Sequence, residues 1–259
     1  MTLIIDLGIY QLLAAYIFVL ILLVIVRIRK IPREKEIIIA TIRMTIQLIL
    51  IGYILVYLFD NPHPLFTILV IIVMELFAVY TIISRSKHKL SKSLKYIVVL
   101  SMVVGTLTSL IYFLFIVIGL SPWYEPRYFI PIAEMLIGNS MTGISLGVNH
   151  LVNGVKTQKE MIENSLMLGA SPKHATKHIV NQAFDASILP TVNSMLGMGI
   201  VFLPGMMTGQ ILSGVSPLLA IEYQVAIMLG ILGSVSLTVI SFVYFGYKSF
   251  FNSQDQLNL

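Results

Sequence analysis

The stretch Glu163-Asn164-Ser165-Leu166-Met167-Leu168-Gly169-Ala170-Ser171-Pro172-Lys173-His174-Ala175 is amphipathic and mildly charged, yet it lies between apolar stretches too long for a soluble domain. Met161, Ser165, Leu166 and Leu168 lead up to Gly169. Pro172 follows Ser171, where the first turn of a new helix loses nothing by lacking an N–H. The segment therefore reads as two short helices joined by a Leu-Gly-Ala-Ser-Pro turn. It forms the centre of a long non-membrane loop, residues 149–185.

On either side of that loop, composition sets the class. A chain of 259 residues with 57% hydrophobic residues, 11% charged residues and a mean hydropathy of +0.92 cannot hide its apolar surface in one water-soluble core. Much of it must face lipid. A spanning helix needs roughly 20 mostly apolar residues. Charged or Pro-containing breaks delimit about seven such stretches: Gly8 to Val26, Ile37 to Phe59, Leu65 to Ile83, Tyr96 to Ile118, Phe129 to Val148, Ala186 to Leu212 and Leu218 to Phe245. The expected fold is all-α and polytopic, a single membrane domain over 1–259. The first stretch follows a leader with Asp6 and no base, and no small-residue cleavage site is evident, so it is expected to stay as a helix.

Basic residues orient the helices. Of the 17 Lys and Arg residues, 15 fall in the loops after stretches one, three and five or after stretch seven, among them Lys87, Lys92 and Lys159. Arg43 lies within a helix and Arg127 on the opposite side. The positive-inside rule then puts the N-terminus outside and the C-terminus in the cytoplasm. Anionic lipid facing those loops accounts for the net charge of +5 without nucleic acid. The absence of Cys excludes disulfides, thiolate metal sites and a Cys nucleophile. No paired Asp and no His-Glu-x-x-His sequence supplies an intramembrane enzyme. A retinal-type protein needs a Lys in the seventh helix, and Leu218 to Phe245 has none.

Helical periodicity of the fifth stretch gathers Pro131, Glu134, Met135, Gly138, Thr142, Ser145 and Asn149 within roughly a third of the circumference. Ile130, Ile137, Met141, Ile144 and Val148 gather elsewhere, on a face that suits lipid. Gly143 with Gly147 and Gly205 with Gly209 are small-x-x-x-small pairs, read either as packing or as hinges. Pro190 and Pro204 are the better kink candidates. Ionisable residues in lipid each need a reason. Arg43, with Gln47 one turn on, and Glu75 lie about 10 and 13 Å from the cytoplasmic helix ends. They are either a structural ion pair or part of a transport path. Glu134 and Glu222 lie nearer the outer ends, where water or a metal ion can reach a carboxylate. Glu134 is the better metal candidate because it shares the polar face. Met135, Met141, Met195, Met198, Met206 and Met207 are either flexible packing or soft ligands for copper(I). His174 and His178, at i and i+4, suit a surface metal or simple solvation.

The strings IGNSMTGISLG (Ile137 to Gly147), LMLGASPKHA (Leu166 to Ala175), ILPTVNSM (Ile188 to Met195) and LPGMMTGQILSGVSPLLAIEYQ (Leu203 to Gln224) resemble signatures of the FetB-type permease family. Members are membrane subunits assigned to iron export in bacteria, with plant relatives linked to aluminium tolerance. The loop is also similar to the cytoplasmic loop of ABC-transporter permeases. Glu163, Asn164 and Ser165 stand where importers carry Glu-Ala-Ala before the Gly, although the Leu-Pro expected soon afterwards appears only at Leu189 and Pro190.

The resemblance implies a permease of the cell membrane rather than an enzyme. It would be a homodimer that moves iron or another metal ion using a separate ATPase subunit. Glu163, Leu168, Gly169, Ala170, Ser171 and Pro172 would couple to that ATPase, and Glu134, Gly138, Thr142, Ser145, Arg43 and Glu75 would line the path. The chain has no Gly-x-x-x-x-Gly-Lys-Ser/Thr loop, so ATP and Mg²⁺ would sit on the partner and no cofactor on this chain. An ABC permease for another substrate, one working in the import direction, and an ion-coupled secondary carrier are the alternatives.

Overall fold

The computed structural model describes residues 7–86 and 88–258; Asp6 and Lys87, used above, lie outside the described residues. The described chain is helical, with two isolated β-bridges, Met198 with Phe202 and Phe251 with Leu257. It divides into two compact units. One holds the residues through Pro62 together with Leu212–Val215, and the other holds His63–Ile211 and the residues from Ser216 on.

The first unit is a helical hairpin. Helices α1 (Ile9–Ala15) and α2 (Ile17–Ile28) follow one another through Tyr16, and α3 (Glu34–Asp60) returns alongside. Tyr16 Oη and Thr45 Oγ1, 2.6 Å apart, pin the two legs. Among its described helical residues only Val26 and Leu58 are buried. Burial against protein therefore cannot hold these helices in place. They hold in lipid because each satisfies its own backbone.

The second unit contains α4 (Pro64–Arg85), α5 (Lys92–Tyr112) running on through a π-helical stretch (Phe113–Ile118), and α6 (Pro126–Thr157). Then come α7 (Lys159–Met167), α8 (Pro172–Ala175), α9 (Lys177–Gly197), α10 (Gly205–Leu212) and α11 (Pro217–Gly246). Starts are encoded locally: Pro occupies the first turn of α4, α6, α8 and α11, and the Ser91 and Ser216 hydroxyls accept from Leu94 and Leu219 N–H groups. The core gathers on α6, which packs against α4, α5, α9 and α11.

Small residues set the close approaches. A Cβ on Gly105 of α5 would lie 2.7 Å from Thr238 Cα of α11, and one on Gly147 of α6 would lie 2.7 Å from Ser187 Oγ of α9. The Ser140 and Ser234 hydroxyls, 2.9 Å apart, tie α6 to α11, with Thr238 donating to Ser140 at 3.5 Å. These registers run α11 parallel to α6 and α9 antiparallel to both. Gly143 and Gly147 are thus packing glycines, whereas a Cβ on Gly205 or Gly209 would meet nothing within 4 Å.

Among the described residues, six helices are long and apolar enough to cross a membrane, by length and composition: Ile9–Ile28, Glu34–Asp60, Pro64–Arg85, Lys92–Ile118, Pro126–Thr157 and Pro217–Phe250. The expected sixth stretch, Ala186 to Leu212, is not one helix. Helix α9 ends at Gly197, the chain turns through Met198–Pro204, and α10 begins at Gly205. The turn satisfies part of its own backbone: Val201 N–H donates to Gly197 C=O at 2.9 Å and Gly199 N–H to Phe202 C=O at 3.0 Å. Gly199 takes φ +80°, and the Phe202 ring covers Gly197. Pro204 stands just before α10 rather than kinking a helix, while Pro131 and Pro190 lie inside α6 and α9 without ending them.

Candidate functional site

At its 32 residues, α6 is about 48 Å long, more than a bilayer core of about 30 Å can cover. Its C-terminal end and the start of α9 form a stalk that carries the turn. The base of the turn is anchored: Ile162 of α7 and Ile179 of α9 are 0% and 1% exposed, Ala175 is buried, and Thr176 Oγ1 donates to Pro172 C=O at 2.8 Å. Its tip is the reverse, with Met167 82% and Leu168 90% exposed.

The tip conformation follows from Gly169. Its φ of +88° closes a Schellman cap on α7, with Ala170 N–H donating to Ser165 C=O at 3.0 Å and Gly169 N–H to Leu166 C=O at 2.9 Å. A Cβ there would meet nothing within 4 Å, so the backbone angle alone, and not the approach of a neighbour, calls for Gly. Ser171 opens α8, its Oγ 2.9 Å from His174 Nδ1. Of the six expected contact residues, Leu168, Gly169, Ala170, Ser171 and Pro172 make up the turn. Glu163 lies further back on α7, where its Oε1 is 3.6 Å from Lys159 Nζ.

Glu134, Gly138, Thr142 and Ser145 occupy one open face of α6: Glu134 and Thr142 are exposed, Gly138 and Ser145 half-buried. Thr142 Oγ1 donates to Gly138 C=O at 3.1 Å and Ser145 Oγ to Met141 C=O at 2.7 Å. Their protons are spent on the helix itself, which leaves oxygen lone pairs outward. Glu134 makes no hydrogen bond or ion pair among the described residues. The face is therefore a row of acceptors, suited to cations. The opposite face corrects the lipid-facing expectation. Ile130, Ile137, Ile144 and Val148 are buried in the core, because α4, α5, α9 and α11 surround that side.

Arg43 and Gln47 are exposed on α3 of the first unit. Glu75, on α4 of the second, is 7% exposed and accepts a hydrogen bond at Oε1 from Thr106 of α5, while its Oε2 has no partner. Thr106 is one of several hydroxyl residues in the apolar α5, Ser101, Thr108 and Ser109 among them, and its sequence context does not single it out as the partner of Glu75. The Ser140–Ser234–Thr238 cluster likewise depends on the pairing of α6 with α11, which no local pattern specifies. Of the His residues, His88 reaches Asn153 of the stalk at 3.1 Å and lies 3.3 Å from Lys156 Nζ. No group of three or more His, Cys, Asp or Glu able to hold a metal occurs among the described residues.

Apolar helices of spanning length, an interrupted helix and an open polar face on α6 define a multi-pass all-α membrane protein. The chain belongs to the uncharacterised protein family UPF0014, whose model matches residues 9–251. It is 38% identical to the UPF0014 membrane protein YjkA of Bacillus subtilis, over 93% of this chain and 94% of the relative. It is 35% identical to the protein ALUMINUM SENSITIVE 3 of Arabidopsis thaliana, over 94% and 88%. It is 32% identical to the probable iron export permease protein FetB of Escherichia coli, over 94% and 92%. No solved structure matches the chain.

Proposed function

We propose that the chain is the permease subunit of an ATP-driven metal exporter of the cell membrane, with iron the first candidate cargo. It works as a homodimer with a separate ATPase. The observation that carries the reading is the rigid, Schellman-capped turn that presents Met167 and Leu168 to solvent at the end of a buried-base stalk. Two adjacent exposed apolar side chains on a fixed backbone suit a groove on another protein. The name of the Escherichia coli relative, a probable iron export permease, supports the cargo and direction.

Helix α6 joins the two ends of the mechanism, since it runs from the open polar face into the stalk. Movement of the turn by the motor would shift α6 as a rod and alternate the access of that face. Two copies with their polar faces opposed would enclose a path lined by carboxylate, hydroxyl and carbonyl oxygens. Such donors suit hard cations, and Glu134 would offset part of the cation's charge. ATP and Mg²⁺ belong to the ATPase.

The test is reconstitution in proteoliposomes with an ABC-type ATPase subunit from the same organism, following iron movement. ATP-dependent transport is expected only with both proteins, and Glu134→Gln is expected to lower the rate about tenfold while co-purification with the ATPase persists. Transport by this chain alone, driven by an ion gradient, would establish the carrier alternative. A wild-type rate for Glu134→Gln would move the path off this face.

A further inference from the structure

The interruption between α9 and α10 borders a cavity of about 430 Å³ whose wall carries Met195, Met198, Met207, Met228 and Gln224. These residues come from the end of α9, the turn, α10 and α11. Gln224 is 5% exposed, and its Oε1 is buried with no hydrogen-bond partner. An unsatisfied buried amide oxygen costs about 1–3 kcal/mol and calls for a reason. No carboxylate, imidazole or basic group lines the cavity. Its lining side chains carry four neutral thioethers and one neutral amide.

We propose that this cavity binds a soft monovalent cation of the copper(I) or silver(I) kind, held by the methionine sulfurs with Gln224 Oε1 as an auxiliary donor. Two physical arguments converge. Thioethers are soft and favour soft d¹⁰ ions, whereas ferric and aluminium ions require hard oxygen donors. Neutral donors leave the charge of the ion uncompensated, and the cost of carrying charge out of water rises with its square, so a monovalent ion is the one such a wall tolerates. Methionine as flexible filler accounts for Met102, which is fully buried in the core. It does not account for four methionines lining one cavity together with a glutamine whose buried amide oxygen has no partner. Because no α6 residue lines the cavity, the site is separate from the Glu134 face, and binding there requires no ATPase.

Silver(I) is the probe because it needs no reductant. Calorimetric titration of the purified full chain in detergent is expected to give one tight silver(I) site, with sulfur neighbours in its X-ray absorption spectrum. Aluminium(III) is expected not to compete. Replacing Met195, Met198, Met207 and Met228 together by Leu nearly conserves volume and is expected to weaken binding about 100-fold. Met161→Leu, on exposed α7, is expected to leave it unchanged. If the fourfold variant does not fold, the Met195/Met198 and Met207/Met228 double variants carry the same test. Wild-type affinity in the Leu variants, equal loss in Met161→Leu, or displacement by aluminium(III) would overturn the proposal.

Discussion

At the scale of single residues, Gly169 is the most sharply constrained position of the turn. Its φ of +88° lies where L side chains other than Asn and Asp rarely go, and the space around it is empty. A bulky residue there costs about 1–2 kcal/mol of local backbone energy and clashes with nothing. Gly169→Leu is therefore expected to unfasten the turn and weaken ATPase association while leaving the thermal unfolding of the purified chain nearly unchanged. Gly169→Asn is expected to retain most of the association. Equal binding by the Leu variant in a pull-down would remove the turn from the coupling reading. The sequence singled out Gly169 but left two reasons open, the backbone angle or a close neighbour. Only the fold, by placing nothing beside it, decided for the first.

At the scale of elements, helix contacts divide the glycines into those that pack and those that do not. Gly147 lies against Ser187, with Phe242 ring carbons 3.5 and 3.6 Å from an added Cβ, whereas Gly209 on α10 has no neighbour within 4 Å. Gly147→Ala is expected to force α6 and α9 apart at a cost of about 1–3 kcal/mol. Gly209→Ala is expected to be neutral or slightly stabilising, by up to about 1 kcal/mol. Melting temperatures of the two variants in detergent check the pair, and the reverse order would contradict the packing. Both glycines sit in the same small-x-x-x-small spacing, so spacing alone could not separate them. The helix interruption had a signal that hydropathy overrode: Gly197, Gly199, Pro204 and Gly205 fall within nine residues. Apolar composition measures affinity for lipid and is blind to whether the backbone stays helical.

At the scale of the whole molecule, the orientation read from basic loops has a direct test in a chain without Cys. Lys92, Lys159 and Asn61 are all exposed, so labelling of a Cys at each reports its side of the membrane rather than its burial. In intact cells, Lys92→Cys and Lys159→Cys are expected to resist a membrane-impermeant maleimide, and Asn61→Cys to react. The opposite pattern would invert the topology and place the turn outside, away from any ATPase.

Composition, charge bias and turn chemistry by themselves determined the membrane class, the all-α fold, the spanning stretches outside the interruption, and the helix–turn–helix around Gly169. These are properties of a residue and its near neighbours in sequence, fixed by transfer to lipid and by local backbone bonding. Tertiary structure alone decided which side of α6 is covered. The amphipathic pattern showed two faces, but their assignment depends on helices distant in sequence, and α4, α9 and α11 bury the isoleucines while leaving Glu134 and Thr142 open. It also decided that Glu75 meets Thr106 on another helix. Such pairings arise from packing between distant segments, which no local pattern specifies.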